Sequence, residues 1–488
     1  MQHVNSSVIS IFNYLNIDKA KYSFRSMMMQ NPLLESKRTL ERAAEFSKNY
    51  LQHIYARRVH PSQLEKDTLL ELSTTFPERG GDPVDTVQLL HEVGAKATVA
   101  TTGGRFHGLV VGGSLPATVG VRVLNAAWDQ LAISQDTSPI AVHLEKVVAN
   151  WLRELFMLPD ASSVGFVTGT TMGNFICLAA ARHRILSRHG WDVEKRGLNG
   201  SPPIRVVASQ EIHITVKKVV SMLGLGTNSI EFVACDENGV MKVEEMPKLD
   251  ADTIVLAQAG NVNSGAVDRI AVISEIAQTS NAWFHVDGAF GLWAAASQSK
   301  RHLLEGLDRV DSCVTDGHKW LNTPYDCGIA MCSDAEAMHS AMSTIAPYFA
   351  TQSDIPPKDM IPELSRSARS LDIWAALHSL GKNGVEDLID RCCRHAVLAG
   401  EILEEHGFEV LNDIVLNQLV VSHSQKENRL QEMTERVCAS GETWFGTTQW
   451  QGRHAFRMSF SSWVTSDDDV KHSIMAIIKE SKEMGIIK

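Results

Sequence analysis

Three groups of residues in this 488-residue chain carry types that chemistry needs. The first is Asp316-Gly317-His318-Lys319-Trp320, which follows the apolar run DSCVT. A partly buried lysine has a depressed pKa and can act as a Schiff-base nucleophile. A lone lysine is more often a solvated or salt-bridged surface charge. The second is Asp287, which closes the run AWFHVD. A carboxylate at the end of an apolar strand is costly unless paired, although a lone aspartate there is usually a turn or helix cap. The third is Thr168-Gly169-Thr170-Thr171-Met172-Gly173-Asn174. Backbone N–H groups at a helix start, beside small hydroxyl residues, make an anion cradle. It is neither a P-loop nor a dinucleotide glycine fingerprint, because GK[ST] and GxGxxG are both missing, and an ordinary N-capped helix explains it equally well.

The elements around these groups alternate. VGFVT (164–168), IRVVAS (204–209), SIEFVAC, TIVLAQA, AWFHVD and DSCVT read as strands. FICLAAARHRIL, ITVKKVVSMLGLG and AVISEIAQ read as helices between them. This alternation predicts an α/β fold with a mixed, mostly parallel sheet covered on both faces. Ligands collect at the carboxyl ends of such strands, which is where all three groups fall. A phosphate cradle, a carboxylate for a pyridine nitrogen and a buried lysine are together the parts that hold pyridoxal 5'-phosphate.

The rest of the chain frames this region. Pro61, Pro77 and Pro83 cut the first 115 residues into short helical pieces with little core of their own. Such a segment packs on something else, for which a second subunit is the candidate. TIAPYFATQSDIPPKDMIP (344–362) interrupts the pattern and reads as a loop. After ARSLDIWAALHSLG come a long helix and the strand runs FEVLND, NQLVVS and HAFRMSFS, which make a small α+β domain. The expected division is 1–115, 116–375 and 376–488.

Composition narrows the class. Lys plus Arg total 46 against 57 for Asp plus Glu, a net charge of −11, which argues against nucleic acid as a partner. The eight cysteines form no CxxC pair, so neither a disulfide framework nor a zinc site is indicated, and no metal is expected. Reduced thiols, no signal-peptide pattern and no long apolar run point to a cytoplasmic chain without membrane spans.

HVDGAFG and DSCVTDGHKW resemble the paired motifs of the group II pyridoxal-phosphate decarboxylases, which act on glutamate, aromatic amino acids, histidine and cysteine sulfinate. The resemblance runs from about Pro61 to Asp469. It implies a fold-type I, aspartate-aminotransferase-like large domain, a small C-terminal domain and an N-terminal segment that clasps a homodimer with shared active sites. By matching position, Lys319 is the Schiff-base lysine and Asp287 the partner of the pyridine nitrogen. Ala289 packs near the ring, and His213, in EIHITVKKVV, stacks on it. Thr170, Thr171 and Met172 form the phosphate turn, with His318 and Asp316 beside it. Tyr348, in IAPYFA, matches a loop tyrosine that returns a proton after CO2 leaves. Arg457 matches the arginine that pairs with the substrate carboxylate.

The implied activity is L-amino-acid α-decarboxylation, with a Lys319 aldimine and a quinonoid intermediate and with CO2 and a primary amine as products. The chain also departs from the family. Asp316 stands where many members have asparagine, and a carboxylate there repels a phosphate unless turned away. GNVNSG (260–265) replaces a Gly-Thr-Thr run, leaving Asn261 and Asn263 as possible substitutes. RFHGLVVGGSLP (105–116) lacks the aromatic run of the aromatic-amino-acid enzymes and leaves Phe106, His107 and Leu109 as candidate substrate contacts. Two alternatives share the motifs. One is an oxygen-using aldehyde synthase, a branch in which phenylalanine typically replaces the loop tyrosine. The other is a non-catalytic binding protein that keeps the fold.

Overall fold

The computed structural model describes residues 32–73, 75–343 and 356–488. Tyr348 lies outside the described residues. The chain divides into two compact units, one of residues 1–57 and 61–99 and one of residues 58–60 and 100–488.

The smaller unit is built on the helix Pro32–Gln52 and the short helix Pro83–Leu89. Phe46 stacks on His91 with ring centroids 4.2 Å apart, and Arg42 lies over the Phe46 ring. Its apolar residues are largely exposed, including Leu33, Leu70, Phe76 and Leu90. Short helices cut by prolines offer too little area to bury them.

The larger unit contains two sheets. The first takes strands β1 (Ser163–Val167), β2 (Arg205–Ser209), β3 (Ile230–Val233), β4 (Thr253–Gln258), β5 (Trp283–Asp287), β6 (Ser312–Asp316) and β7 (Gly328–Cys332). Their spatial order is β1-β7-β6-β5-β4-β2-β3. Strands β2 to β6 pair in parallel, and β7 runs antiparallel to both β1 and β6. Side chains alternate between two buried layers. Val255, Ala257, Phe284, Val286 and Cys313 enter one core, and Ile254, Leu256, Trp283, Val314 and Ala330 enter the other. This two-sided burial is why the strands read as continuous apolar runs. The helix Thr170–Arg188 packs on the second layer through Ile176, Cys177 and Leu178.

The helix Ser370–Glu405 links the two sheets and is interrupted at Gly381 (φ 61°, ψ 179°). The interruption matches the glycine at which the sequence pattern separates two helices. The second sheet holds β8 (Glu409–Val410), β9 (Gln418–Ser422), β10 (Gly446–Trp450) and β11 (Arg453–Ser459), in the order β10-β11-β9-β8. The helices Leu430–Ser440 and Asp467–Glu483 cover it. Ser466 and Asp469 form a reciprocal capping box at the start of the last helix.

Candidate active site

Strands β5 and β6 lie side by side and end at Asp287 and Asp316. Both carboxylates are buried and belong to the face that meets the helix Thr170–Arg188. That helix offers Thr170 and Asn174, four residues apart and therefore on one side of it. The Thr170 N–H donates to Asp316 Oδ1 at 2.8 Å, and its hydroxyl donates to Oδ2 at 3.0 Å. Asn174 Nδ2 donates to Asp287 Oδ2 at 2.9 Å, while the Ala289 N–H donates to Oδ1 at 3.1 Å.

The loop after β6 carries Lys319, whose Nζ lies 3.1 Å from Asp316 Oδ2. Gly112 runs against this loop so closely that a Cβ there would sit 1.8 Å from the Lys319 carbonyl oxygen. Only glycine permits that approach. His318 accepts from the Cys327 N–H through Nδ1 (3.2 Å), and its Nε2 lies 3.6 Å from Asp316 Oδ2. Burial lowers the His318 pKa, so the ring is neutral with its hydrogen on Nε2.

Lys319, Asp287, Ala289 and His213 line one cavity of about 240 Å³, together with Gln258, Phe290, Leu109, Val110, Gly260, Val262 and Arg457. His213 caps the helix Ile214–Met222. Its Nδ1 accepts from the Thr215 N–H, which leaves the ring hydrogen on Nε2. Burial lowers its pKa, and the positive charges of Lys319 and Arg457 add to that effect. Leu109 and Val110 both hold left-handed backbone (φ 57° and 55°), a costly conformation for a β-branched residue. The Val110 N–H donates nothing within its own turn and is held by Ser459 Oγ at 3.1 Å.

Arg457 reaches the cavity from β11. Its guanidinium donates to the Val262 carbonyl (2.7 Å) and approaches Asn263 Oδ1 (3.4 Å), and no carboxylate pairs with it among the described residues. Burial lowers its pKa. Asn263 thus serves the arginine, while Asn261 closes its own turn by accepting from the Asn263 and Ser264 N–H groups. Neither lines the cavity.

Two expected substrate contacts are placed elsewhere. Phe106 stacks flat on Trp444 (4.8 Å), and His107 is buried with Nε2 on Ser473 Oγ (2.9 Å) and its ring against Phe460. The backbone turns after them, and Leu109, the third expected contact, lines the cavity beside Val110. Thr171 and Met172 follow Thr170 at the start of the helix and, with it, leave the cavity lining to others. A larger cavity of about 580 Å³ opens beside Gly381. Its lysine, Lys382, is exposed and paired with Glu154, and it holds no candidate nucleophile.

Sequence reasoning missed Gln258, His285 and Ser312, and it placed Asn174 in the cradle turn without a partner. Gln258 Nε2 is buried without a partner in the cavity wall, a donor placed for a bound molecule. His285 stands two residues before Asp287, on the same strand face, and that period of two was the available signal. The lysine, the buried carboxylate, the neutral imidazole and this unspent amide fit pyridoxal phosphate. Among the described residues no three His, Cys, Asp or Glu side chains group to hold a metal, and no helix is long and apolar enough to cross a membrane.

Known proteins agree with this chemistry. The family model "Pyridoxal-dependent decarboxylase conserved domain" matches residues 77–423. The acidic amino acid decarboxylase GADL1 of Xenopus tropicalis is 27% identical over 368 residues, covering 72% of this chain and 70% of the relative. Human cysteine sulfinic acid decarboxylase is 27% identical over 332 residues, covering 64% and 66%. Among solved structures, Oryza sativa TDC with PLP and tryptamine superposes with a TM-score of 0.86 at 20% identity, covering 93% of this chain and 99% of that one. Mouse CSAD in apo form gives 0.84 at 22%, covering 92% and 99%. The fold is thus fold-type I. With the match running through both strand-end motifs, the chain belongs to the pyridoxal-dependent decarboxylase family and is a pyridoxal-phosphate-dependent amino-acid decarboxylase.

Proposed function

We propose that the cavity between Lys319, Asp287 and Arg457 is where an L-amino acid loses its α-carboxylate as CO2. The observation that carries this reading is Arg457. It is a half-buried guanidinium without a carboxylate partner among the described residues, and it lines the same cavity as the candidate nucleophile. A planar guanidinium is suited to bidentate pairing with the substrate carboxylate. Bound pyridoxal phosphate supplies the electron sink for the breaking bond.

The residues of the chain do the rest. Lys319 would hold the cofactor through its aldehyde carbon, giving that carbon up to the substrate amine and taking it back as the product amine leaves. Asp287 would accept from the ring nitrogen and keep it protonated. His213 covers the ring and presents its Nε2 hydrogen to the cavity. Thr170, Thr171, Met172 and His318 would hold the phosphate end. Tyr348 returns a proton to the substrate carbon.

The active species is a homodimer, in our reading, that works in the cytoplasm. Support comes from apolar side chains left exposed in the single chain near the cavity segment, including Leu109, Leu124, Trp128 and Leu131. The N-terminal residues, with their exposed leucines, are the candidate clasp. All eight cysteines are free thiols, which suits a reducing compartment.

The test is a screen of the common L-amino acids for CO2 release by the purified protein with cofactor, run beside scattering-detected size exclusion. Stoichiometric amine and CO2 from a dimer support the reading. Aldehyde and hydrogen peroxide in place of amine would overturn simple decarboxylation, and full activity from a monomer would overturn the dimer.

A further inference from the structure

We propose that a buried chain of side chains behind the active site, Trp283–Ser312–His285–Asn174, fixes the charge and aim of Asp287. The bonds are Trp283 Nε1 to Ser312 Oγ at 3.0 Å, Ser312 Oγ to His285 Nδ1 at 2.8 Å, His285 Nε2 to Asn174 Oδ1 at 2.8 Å and Asn174 Nδ2 to Asp287 Oδ2 at 2.9 Å. All five side chains are buried.

The direction of donation follows from the two ends. An indole N–H can only donate, and an ionised carboxylate can only accept. Ser312, accepting from Trp283, sends its hydrogen to His285 Nδ1. The imidazole then carries its hydrogen on Nε2 and gives it to Asn174. The asparagine amide is thereby oriented with its NH2 toward Asp287. Burial holds His285 neutral, lowering its pKa to about 3, so the ring donates once and accepts once. The reverse arrangement needs a protonated Asp287. It also leaves the Ser312 hydrogen only the sulfur of Cys177, a weak acceptor. All four hydrogen bonds are satisfied with Asp287 as a carboxylate, and the donor the chain sends to Oδ2 favours that form.

Asn174 is therefore a positioning residue, with His285 and Ser312 behind it. The inference rests on Asp287 facing the ring nitrogen, so the experiment reads that nitrogen directly. Apoenzyme is reconstituted with 15N-labelled pyridoxal phosphate, and the nitrogen shift is followed against pH in wild type, Asn174→Leu, His285→Leu, Ser312→Ala and Trp283→Phe. The other titrating groups around Asp287 are His213, Lys319 and Arg457 in the cavity and Cys177 behind it, and every variant keeps them.

The pH at which the nitrogen loses its proton falls by about one to two units in Asn174→Leu, the range of one hydrogen bond to a charged group. The fall is smaller in His285→Leu and Ser312→Ala and least in Trp283→Phe. A purely packing role predicts a different pattern, with lowered melting temperatures, the greatest for Trp283→Phe, and an unmoved nitrogen. Unmoved nitrogen titration in folded Asn174→Leu and Ser312→Ala overturns the chain. A wild-type nitrogen that is unprotonated at neutral pH overturns the role of Asp287 itself, which is a separate result.

Discussion

Asp287 and Asp316 end neighbouring strands, face the same helix and are both buried, yet they are held in opposite ways. Asp287 accepts only from neutral donors, the Asn174 amide and the Ala289 N–H. Asp316 accepts the Thr170 N–H and hydroxyl and lies 3.1 Å from the Lys319 ammonium. The first carboxylate keeps its charge unspent and is ready for a cation that the protein does not supply. The second is neutralised by the chain's own lysine and occupies the N–H that opens the anion cradle. Two aspartates with the same burial therefore do different work, and what separates them is the supply of positive charge.

The contrast can be broken at four points. Lys319→Ala removes both the nucleophile and the cation on Asp316. Amine production should fall by more than about a thousandfold, the scale of losing a covalent nucleophile, and unchanged turnover would refute the assignment. Asp287→Asn should cost roughly 10²–10³-fold in kcat, the scale of one lost electrostatic stabiliser, with visible cofactor absorbance still present. A loss no larger than that of Asp316→Asn would erase the distinction between the two.

Asp316→Asn sharpens it. Removing a like charge beside the phosphate should tighten pyridoxal phosphate by roughly tenfold, whereas pyridoxal without a phosphate gains nothing. Equal changes for both, measured by equilibrium dialysis, would show that Asp316 stands clear of the phosphate. The smallest effect at neutral pH belongs to His285→Gln, which keeps a donor toward Asn174. The folded pKa of His285, about 3, lies below the ordinary 6.5. The unfolded chain thus takes up the proton first as pH falls. The stability tied to this residue is complete above about pH 6.5 and declines toward pH 3 by about 1.4 kcal/mol per pH unit. Urea midpoints of wild type should therefore fall more steeply than those of the variant between pH 6 and 4.

Much of this arrangement was readable along the chain, because strands buried on both faces announce themselves as apolar runs. TIVLAQ and WFHVD needed no tertiary information. β7 did not announce itself, since GIAMC follows β6 with no intervening helix and is defined by the two strands it separates. β10, GTTQW, is a half-exposed edge strand whose polar residues hide its pattern. In the site, Lys319 and Asp287 stood out through their motifs. His285 did not, nor did its bond to Asn174, because that bond joins residues 111 positions apart. A histidine and a serine inside buried apolar strands were the only local hint that a polar chain ran there. Phe106 and His107 face away from the cavity because that stretch pairs with Trp444, a residue far along the chain, which residue types near them do not reveal.

The antiparallel strand β7 also governs the order in which the site can come into being. β1 pairs only with β7, through Val167 against Gly328, and the lysine loop lies between β6 and β7. A chain leaving the ribosome amino end first presents the Thr170 turn long before either carboxylate that the turn must meet. Its first strand waits without a partner until Cys332 has emerged, and that long loop must close before the pairing returns any stability. Capture of the cofactor is therefore a late event in biogenesis, reserved for a chain that has completed its large sheet.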